Sequence, residues 1–457
     1  MKRFISQGRG LGWMFSVLIF VLLFLVQGAL ADEEKPVTEE ILEIMRSEGQ
    51  ITEEQYRELK EKAREEQKGD ESTFRAYWQD GVRLDSKDNK FKIKFGGRIF
   101  LDWTHIDTEG KLDENGSDLQ GHGVEIRSAR LYSEGTIYEA VQYKLEYDFE
   151  GGDVNAEDVW IGLTEIPYIG NIRFGHMKEP YSLDELTNGS YITFMERALP
   201  VEAFAPGRNT GVQLSNSALD DRITWKVGAF QDTDEFGNGF SNSSDYNITA
   251  RVTGLPWYAD NGRKLLHLGL SYSHQFRSQD NPVRFKSRPE AHNTSVETVD
   301  TGDFEVDDVD LLTPEFALVF GPLSVQTEYF YIPINGESAG DPTYDGFYIT
   351  VSGFVTGEHR NYDVQKGYFG RVRPRKNFHP TQPGWGAVEL AARISELDTN
   401  GGNVRGGKEL NLDFGANWYL NPNTRFMFNY IYASVDDHPD KANGDLNIFQ
   451  ARVQIDF

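Results

Sequence analysis

Cysteine is absent from the 457 residues, which excludes disulfides, thiolate metal ligands and cysteine nucleophiles by inventory. Long apolar runs are missing beyond the first thirty-one residues, and the mean hydropathy is −0.53, so no helix long enough to cross a membrane is legible. Basic charge is in deficit: 46 Lys and Arg stand against 72 Asp and Glu, a formal net charge of −26. Such a balance argues against nucleic-acid binding through a broad basic surface. Catalytic signatures are lacking too. An enzyme would need a nucleophile, a base and an orienting acid converging on one face, and no recognisable motif supplies them. The nine histidines show no ligand spacing. Asp232, Asp234 and Gly237 faintly resemble a calcium loop, but Phe236 and Ser243 stand where oxygen ligands belong. The reading is therefore a non-enzyme without metal or cofactor.

What is present points elsewhere. Aromatic residues make up 13 % of the chain, and there are 45 glycines. Lys2, Arg3 and Arg9 followed by the apolar stretch Trp13 to Val26 and by Ala29-Leu30-Ala31 read as an export signal over 1–31. Residues 32–69 are rich in Glu, Lys, Arg and Gln and read as a periplasmic helical segment or linker. Gly49 ends a helix over Thr38 to Ser47, and Thr52 with Gln55 forms a capping box that starts the next. Ile41, Leu42, Ile44 and Met45 would meet Ile51, Tyr56, Leu59 and Ala63, a seam rather than an independent core.

From residue 70 to 457 the period changes to two. Ile93, Phe95, Gly97, Ile99, Leu101 and Trp103 share one face, with Lys92, Lys94, Arg98, Asp102 and Thr104 on the other. Val141, Tyr143, Leu145, Tyr147 and Phe149 alternate with Gln142, Lys144, Glu146 and Asp148, and Leu412 to Leu420 repeats the pattern. About sixteen such segments begin near 91, 124, 139, 157, 170, 210, 221, 245, 263, 309, 322, 344, 386, 409, 423 and 446. An even number of amphipathic strands predicts an all-β fold: a closed antiparallel transmembrane β-barrel of the outer membrane, wide enough for a water-filled lumen. Asn421-Pro422-Asn423 and Phe320-Gly321-Pro322 read as tight periplasmic turns, and 277–308 and 357–385 as external loops. The last strand places Phe449, Ala451, Val453, Ile455 and Phe457 on one face, a form suited to recognition by the barrel assembly machinery.

Several runs resemble the phosphate-selective porin O and P family. They are Arg127-Ser128-Ala129-Arg130-Leu131, Tyr143 to Phe149, Gly162-Leu163-Thr164 with Ile166-Pro167-Tyr168, Gly175 to Pro180, Tyr191 to Pro200, Phe204 to Gly211 and Trp418 to Thr424. The resemblance implies a homotrimer of sixteen-stranded barrels in outer-membrane lipid, a third loop folded into the pore, and an anion path lined by arginine and lysine. Lys178 to Gly207 is the segment expected to be that loop.

Alternation then selects cations on polar strand faces: Arg98, Arg130, Arg173, Lys226, Arg393 and Arg452. Lys178, Arg197 and Arg208 join them from the loop or beside it. Arginine suits oxyanions because its fork of donors matches phosphate, although wall arginines also pair with carboxylates such as Asp102, Glu146, Glu185 and Glu196. On this reading Arg98→Ala and Arg197→Ala each lower anion preference. At Asn188-Gly189-Ser190 the basic residue of the family pattern is missing. The expected function is passive diffusion of small solutes, including inorganic anions. A weakly selective or cation-preferring porin is the alternative, with an adhesive barrel or an outer-membrane enzyme further off.

Overall fold

The structure is a computed structural model that describes residues 37–71, 74–110, 119–234, 236–239, 245–277, 282–438 and 443–457. The export signal expected over 1–31 lies outside these residues. Contacts divide the chain into two units, one ending at Thr73 and the other running Phe74–Phe457.

The first unit is a pair of helices, α1 (Val37–Ser47) and α2 (Glu53–Glu71). Gly49 sits at φ +71°, and the Gly49 and Gln50 amides donate to the Arg46 and Met45 carbonyls at 3.1 and 2.9 Å. This left-handed stop is one that glycine adopts without penalty. The capping box forms in both directions: the Gln55 amide donates to Thr52 Oγ1 at 3.3 Å, and the Thr52 amide to Gln55 Oε1 at 2.9 Å. Among the described residues of this unit Leu42 and Tyr56 are the buried ones, with the Arg46 guanidinium 4.4 Å over the Tyr56 ring. Ile41, Ile44 and Leu59 stay exposed, so the seam is narrower than the apolar spacing implies.

In the second unit sixteen strands close a ring: β1 (Phe91–Gly110), β2 (Gly121–Ile137), β3 (Val141–Asp148), β4 (Asn155–Ile166), β5 (Gly170–Lys178), β6 (Arg208–Ala218), β7 (Ile223–Gln231), β8 (Tyr246–Ala259), β9 (Lys264–Phe276), β10 (Asp308–Phe320), β11 (Leu323–Asn335), β12 (Thr343–Phe354), β13 (Ala387–Gly401), β14 (Val404–Asn421), β15 (Thr424–Asp436) and β16 (Gly444–Asp456). Each pairs antiparallel with the next, and β16 pairs back onto β1 from Gly444↔Gly110 to Asp456↔Arg98. Phe457 continues that seam, exchanging two backbone hydrogen bonds with Gly97. Closure leaves the ring without a free edge, the condition for a sheet to cross lipid. All sixteen segments lie where the alternation places them; the largest displacement is at β14, which starts at Val404 rather than near 409. A hairpin of Phe74–Trp78 and Val82–Ser86 extends the sheet beside β1, with Val82 opposite Phe95.

Period two separates the faces as the sequence requires. Ile99, Leu101, Trp103, Phe414 and Phe428 point outward and are exposed, a band suited to lipid. Asp102, Glu146, Asp148, Asn411, Asp413 and Arg452 point inward and are buried. The interior is far from empty. The β5–β6 connection, the β9–β10 connection and the β12–β13 connection all enter it.

The third of these corrects the sequence reading. Residues 357–385 join β12 to β13 at the end that carries the tight turns, not the end of the long loops. The Arg371 guanidinium donates to the Pro422 carbonyl at 2.5 Å and the Phe378 amide to the Leu420 carbonyl at 2.6 Å, both at the β14–β15 turn. Loop length gave the wrong side because strand count, not length, fixes which end a connection occupies.

Candidate pore constriction

Residues 179–207 carry two short helical turns, α3 (Leu183–Leu186) and α4 (Leu199–Phe204). Free backbone donors at the start of α3 find one carboxylate on the far wall. Glu328 of β11 accepts from the Leu183 amide at 2.8 Å, the Asp184 amide at 3.0 Å and the Ser182 hydroxyl at 3.1 Å. Further along, wall side chains reach the loop's carbonyls: Arg425 to Ile192, Asn417 to Thr193 and Arg452 to Met195, at 2.7 to 2.8 Å. Unpaired backbone groups inside a barrel are costly, and these contacts satisfy them while fixing the loop's depth. The loop expected over Lys178 to Gly207 therefore lies across the lumen.

Between this loop and strands β1–β7 is a cavity of about 220 Å3. Eight cationic side chains face it: Arg98, Arg130, Lys144, Arg173, Lys178, Arg197, Arg208 and Lys226. Three carboxylates, Glu146, Asp158 and Glu185, share it, a formal surplus of five positive charges inside a chain of net −26.

The cations fall into two sets. Five are held by carboxylates. Arg130 lies 2.6 Å from Asp148 and 2.5 Å from Glu157, and Lys144 2.8 Å from Glu146 and 2.6 Å from Asp158. Arg208 pairs with Glu157 and Asp158 at 2.5 and 3.0 Å, while Lys178 and Arg197 share Glu185 at 2.6 and 2.9 Å. Burial alone would raise the Glu185 carboxyl, yet Arg197 and Lys178 beside it hold it down at about 2.

The other three rest on rings. Arg98 lies 4.7 Å over Phe100, Arg173 4.1 Å over Trp160 and Lys226 5.3 Å over Tyr368. Their hydrogen bonds go to neutral groups: Arg98 to Ser128 Oγ at 2.9 Å and Asn188 Oδ1 at 3.3 Å, and Lys226 to the Lys366 carbonyl at 3.2 Å. Arg173 Nε is buried with no hydrogen-bond partner among the described residues. A ring orients a cation without pairing it, so these three face the cavity with no carboxylate partner among the described residues.

Seven of the nine cations singled out from the sequence meet here. Arg393 does not line this cavity. It is buried against Asp413 at 2.5 Å and Glu290 at 2.9 Å, and it donates to the Glu196 carbonyl at 3.0 Å. Arg452 is likewise taken, by both oxygens of Asp102 and by Glu196. Both hold loops to the wall. Sequence reasoning overlooked Lys144, whose place on the polar face of β3 qualified it, and Trp160 and Tyr368. Tyr368 carried no signal, because its segment was assigned to the other end. Asn188, where the family's basic pattern fails, turns out to be a partner of Arg98.

A closed sixteen-stranded barrel with an apolar outer band, an inward loop and a charged cavity beside that loop is a porin channel of the outer membrane. Comparison narrows this: the family model for phosphate-selective porin O and P matches residues 93–457, and the chain belongs to that family. An uncharacterized protein of Caulobacter vibrioides is 30 % identical over 395 residues, covering 83 % of this chain and 76 % of that one. Porin O of Pseudomonas aeruginosa is 24 % identical over 405 residues, covering 80 % of this chain and 88 % of its own. Among solved structures, the anion-selective porin from Comamonas acidovorans superposes with a TM-score of 0.50 at 13 % identity, over 80 % of this chain and 100 % of that one, a likeness of fold.

Proposed function

We propose that the channel passes small anions, inorganic phosphate among them, and that Arg98, Arg173 and Lys226 carry the path. The observation behind this is the division of the cations: these three lack a carboxylate partner among the described residues and face one cavity. Charges in confined water act more strongly than in bulk, and a row of weak sites lets an ion leave as well as enter. Arg130, Lys178, Arg197 and Arg208 add to the field but are largely neutralised locally. Arg393 contributes by holding the loop in place. The channel works as a homotrimer in outer-membrane lipid, the assembly that the family resemblance implies, with the strand ending at Phe457 as the feature that assembly machinery reads. Residues 1–31 direct export, and residues 32–69 are a periplasmic helical appendage to the barrel.

The test is the reversal potential of the purified protein in a planar bilayer under a potassium chloride gradient, repeated with added phosphate. Anion preference with block by phosphate is the expected result. Cation preference would overturn the reading and transfer the role to Glu146, Asp158 and Glu185.

A further inference from the structure

The cavity at the constriction has a neighbour. A second space of about 250 Å3 is lined by Arg127, Glu196, Glu202, Arg288 and His292, together with Glu185 and Arg197. Among the described residues Glu185 and Arg197 alone line both spaces, so this pair stands as the partition between them. The two carboxylate oxygens of Glu185 are divided between two cations. Oε1 lies 2.6 Å from Lys178 Nζ, and Oε2 lies 2.9 Å from Arg197 Nε. The Glu185 backbone carbonyl accepts from the same two side chains. A lysine and an arginine converging on two oxygens is also how a small oxyanion would be gripped.

We propose that Glu185 is a tethered counter-anion that sets the channel's affinity for permeating anions. Its carboxylate occupies the oxyanion position between Lys178 and Arg197. An ion crossing from one space to the other must share those cations with it and cannot settle there. The carboxylate thus weakens an anion site on the route, which keeps binding loose enough for release. Two further features support the role. Glu185 is a side chain of the inward loop rather than the wall, and α3 is held at its base by Glu328, so the carboxylate is fixed in position. Its side chain keeps 13 % exposure, which places it against the passage instead of within the packed interior. The proposal rests on the anion-path reading above and names a specificity-determining residue within it.

The experiment compares wild type with Glu185→Gln in bilayers, reading the chloride-to-potassium permeability ratio and the phosphate concentration that halves conductance. Loss of one charge a few ångströms from the ion predicts a rise in the ratio and a half-blocking concentration lowered by about tenfold at low salt. In about 1 M salt, where the screening length is near 3 Å, the difference should shrink. A passage merely widened by a displaced loop would instead keep a raised conductance at high salt with no gain in anion affinity, and that result overturns the proposal. So does an unchanged ratio and block. The sign of the wild-type preference tests the anion path itself, whereas the shift between the two proteins tests Glu185. Should Glu185→Gln fail to migrate as a folded barrel, Glu185→Asp serves: its shorter arm cannot bridge both cations, so a smaller shift in the same direction is expected, and none would refute the role.

Discussion

Strands β1–β7 and strands β8–β13 carry the same outward alternation, yet their inward faces meet different company. On the first arc, cations and carboxylates border the cavity at the constriction. On the second, the lumen is filled. Val309, Leu311, Phe330, Ile332, Tyr344, Tyr348 and Leu397 of the wall pack against Tyr181, Leu199, Val201 and Phe204 of the inward loop and against Val283, Phe285, Val299 and Val306 of the β9–β10 connection. One ionic cluster in this arc is paired and dry: Arg251 meets both oxygens of Glu315 at 2.8 and 2.7 Å, with His267 at 3.1 Å, and all three side chains are at most 1 % exposed. One arc of the wall borders a charged cavity and the other is a protein core turned inside out. A barrel wide enough for a large pore is thereby reduced to an eccentric passage.

Substitutions on the two arcs should part company, stability on one side and selectivity on the other. The largest effect is expected for Glu315→Ala, which strands the buried Arg251 charge. Removing one partner of such a pair costs roughly 3–5 kcal/mol, so the temperature of the heat-induced gel shift should fall sharply while the wild-type reversal potential is kept. Phe330→Ala should act in the same direction by about 3 kcal/mol through the cavity it leaves in the core. A change of selectivity in either variant would show that the two arcs are not separable. Arg98→Ala is the converse. Its gel shift should stay within about 0.5 kcal/mol of wild type, since only neutral partners are lost, whereas anion preference drops several-fold. Arg197→Ala should lower the preference less, because Glu185 already offsets its charge. It should also raise current noise, since Arg197 donates to the Asp184, Glu185 and Thr187 carbonyls of the loop. Deleting 37–71 is expected to change least. A folded, heat-modifiable, conducting barrel should remain, and its loss would tie the helices to the barrel's stability.

The ring of strands was legible because alternation is a local property. Each strand must show lipid one face and the lumen the other, so period two is written into every segment from Phe91 to Phe457. The helical pair was legible for a similar reason, since Gly49 and the Thr52–Gln55 box act within a few residues of themselves. The site was half legible. The polar-face filter gathered Arg98, Arg130, Arg173 and Lys226 onto one cavity, but the same filter admitted Arg393 and Arg452, which are spent on Asp413, Glu290, Asp102 and Glu196. Inward direction is necessary for an ion path and is not sufficient.

By itself, then, the chain's sequence determined the barrel, its strand number and the faces of those strands, which follow from contacts between a residue and its solvent, lipid or water, and period alone encodes these. The inward loop was identified through the resemblance to the family. Only the tertiary structure decided which cations keep their charge. That depends on partners that other strands and inward segments bring alongside: Glu185 taking Lys178 and Arg197, Asp158 taking Lys144 and Arg208, and Tyr368, from a segment entering at the turn end, lying beneath Lys226. A charge is free or cancelled according to what stands within a few ångströms of it, and those neighbours come from nearby strands and inward segments, which strand period does not specify.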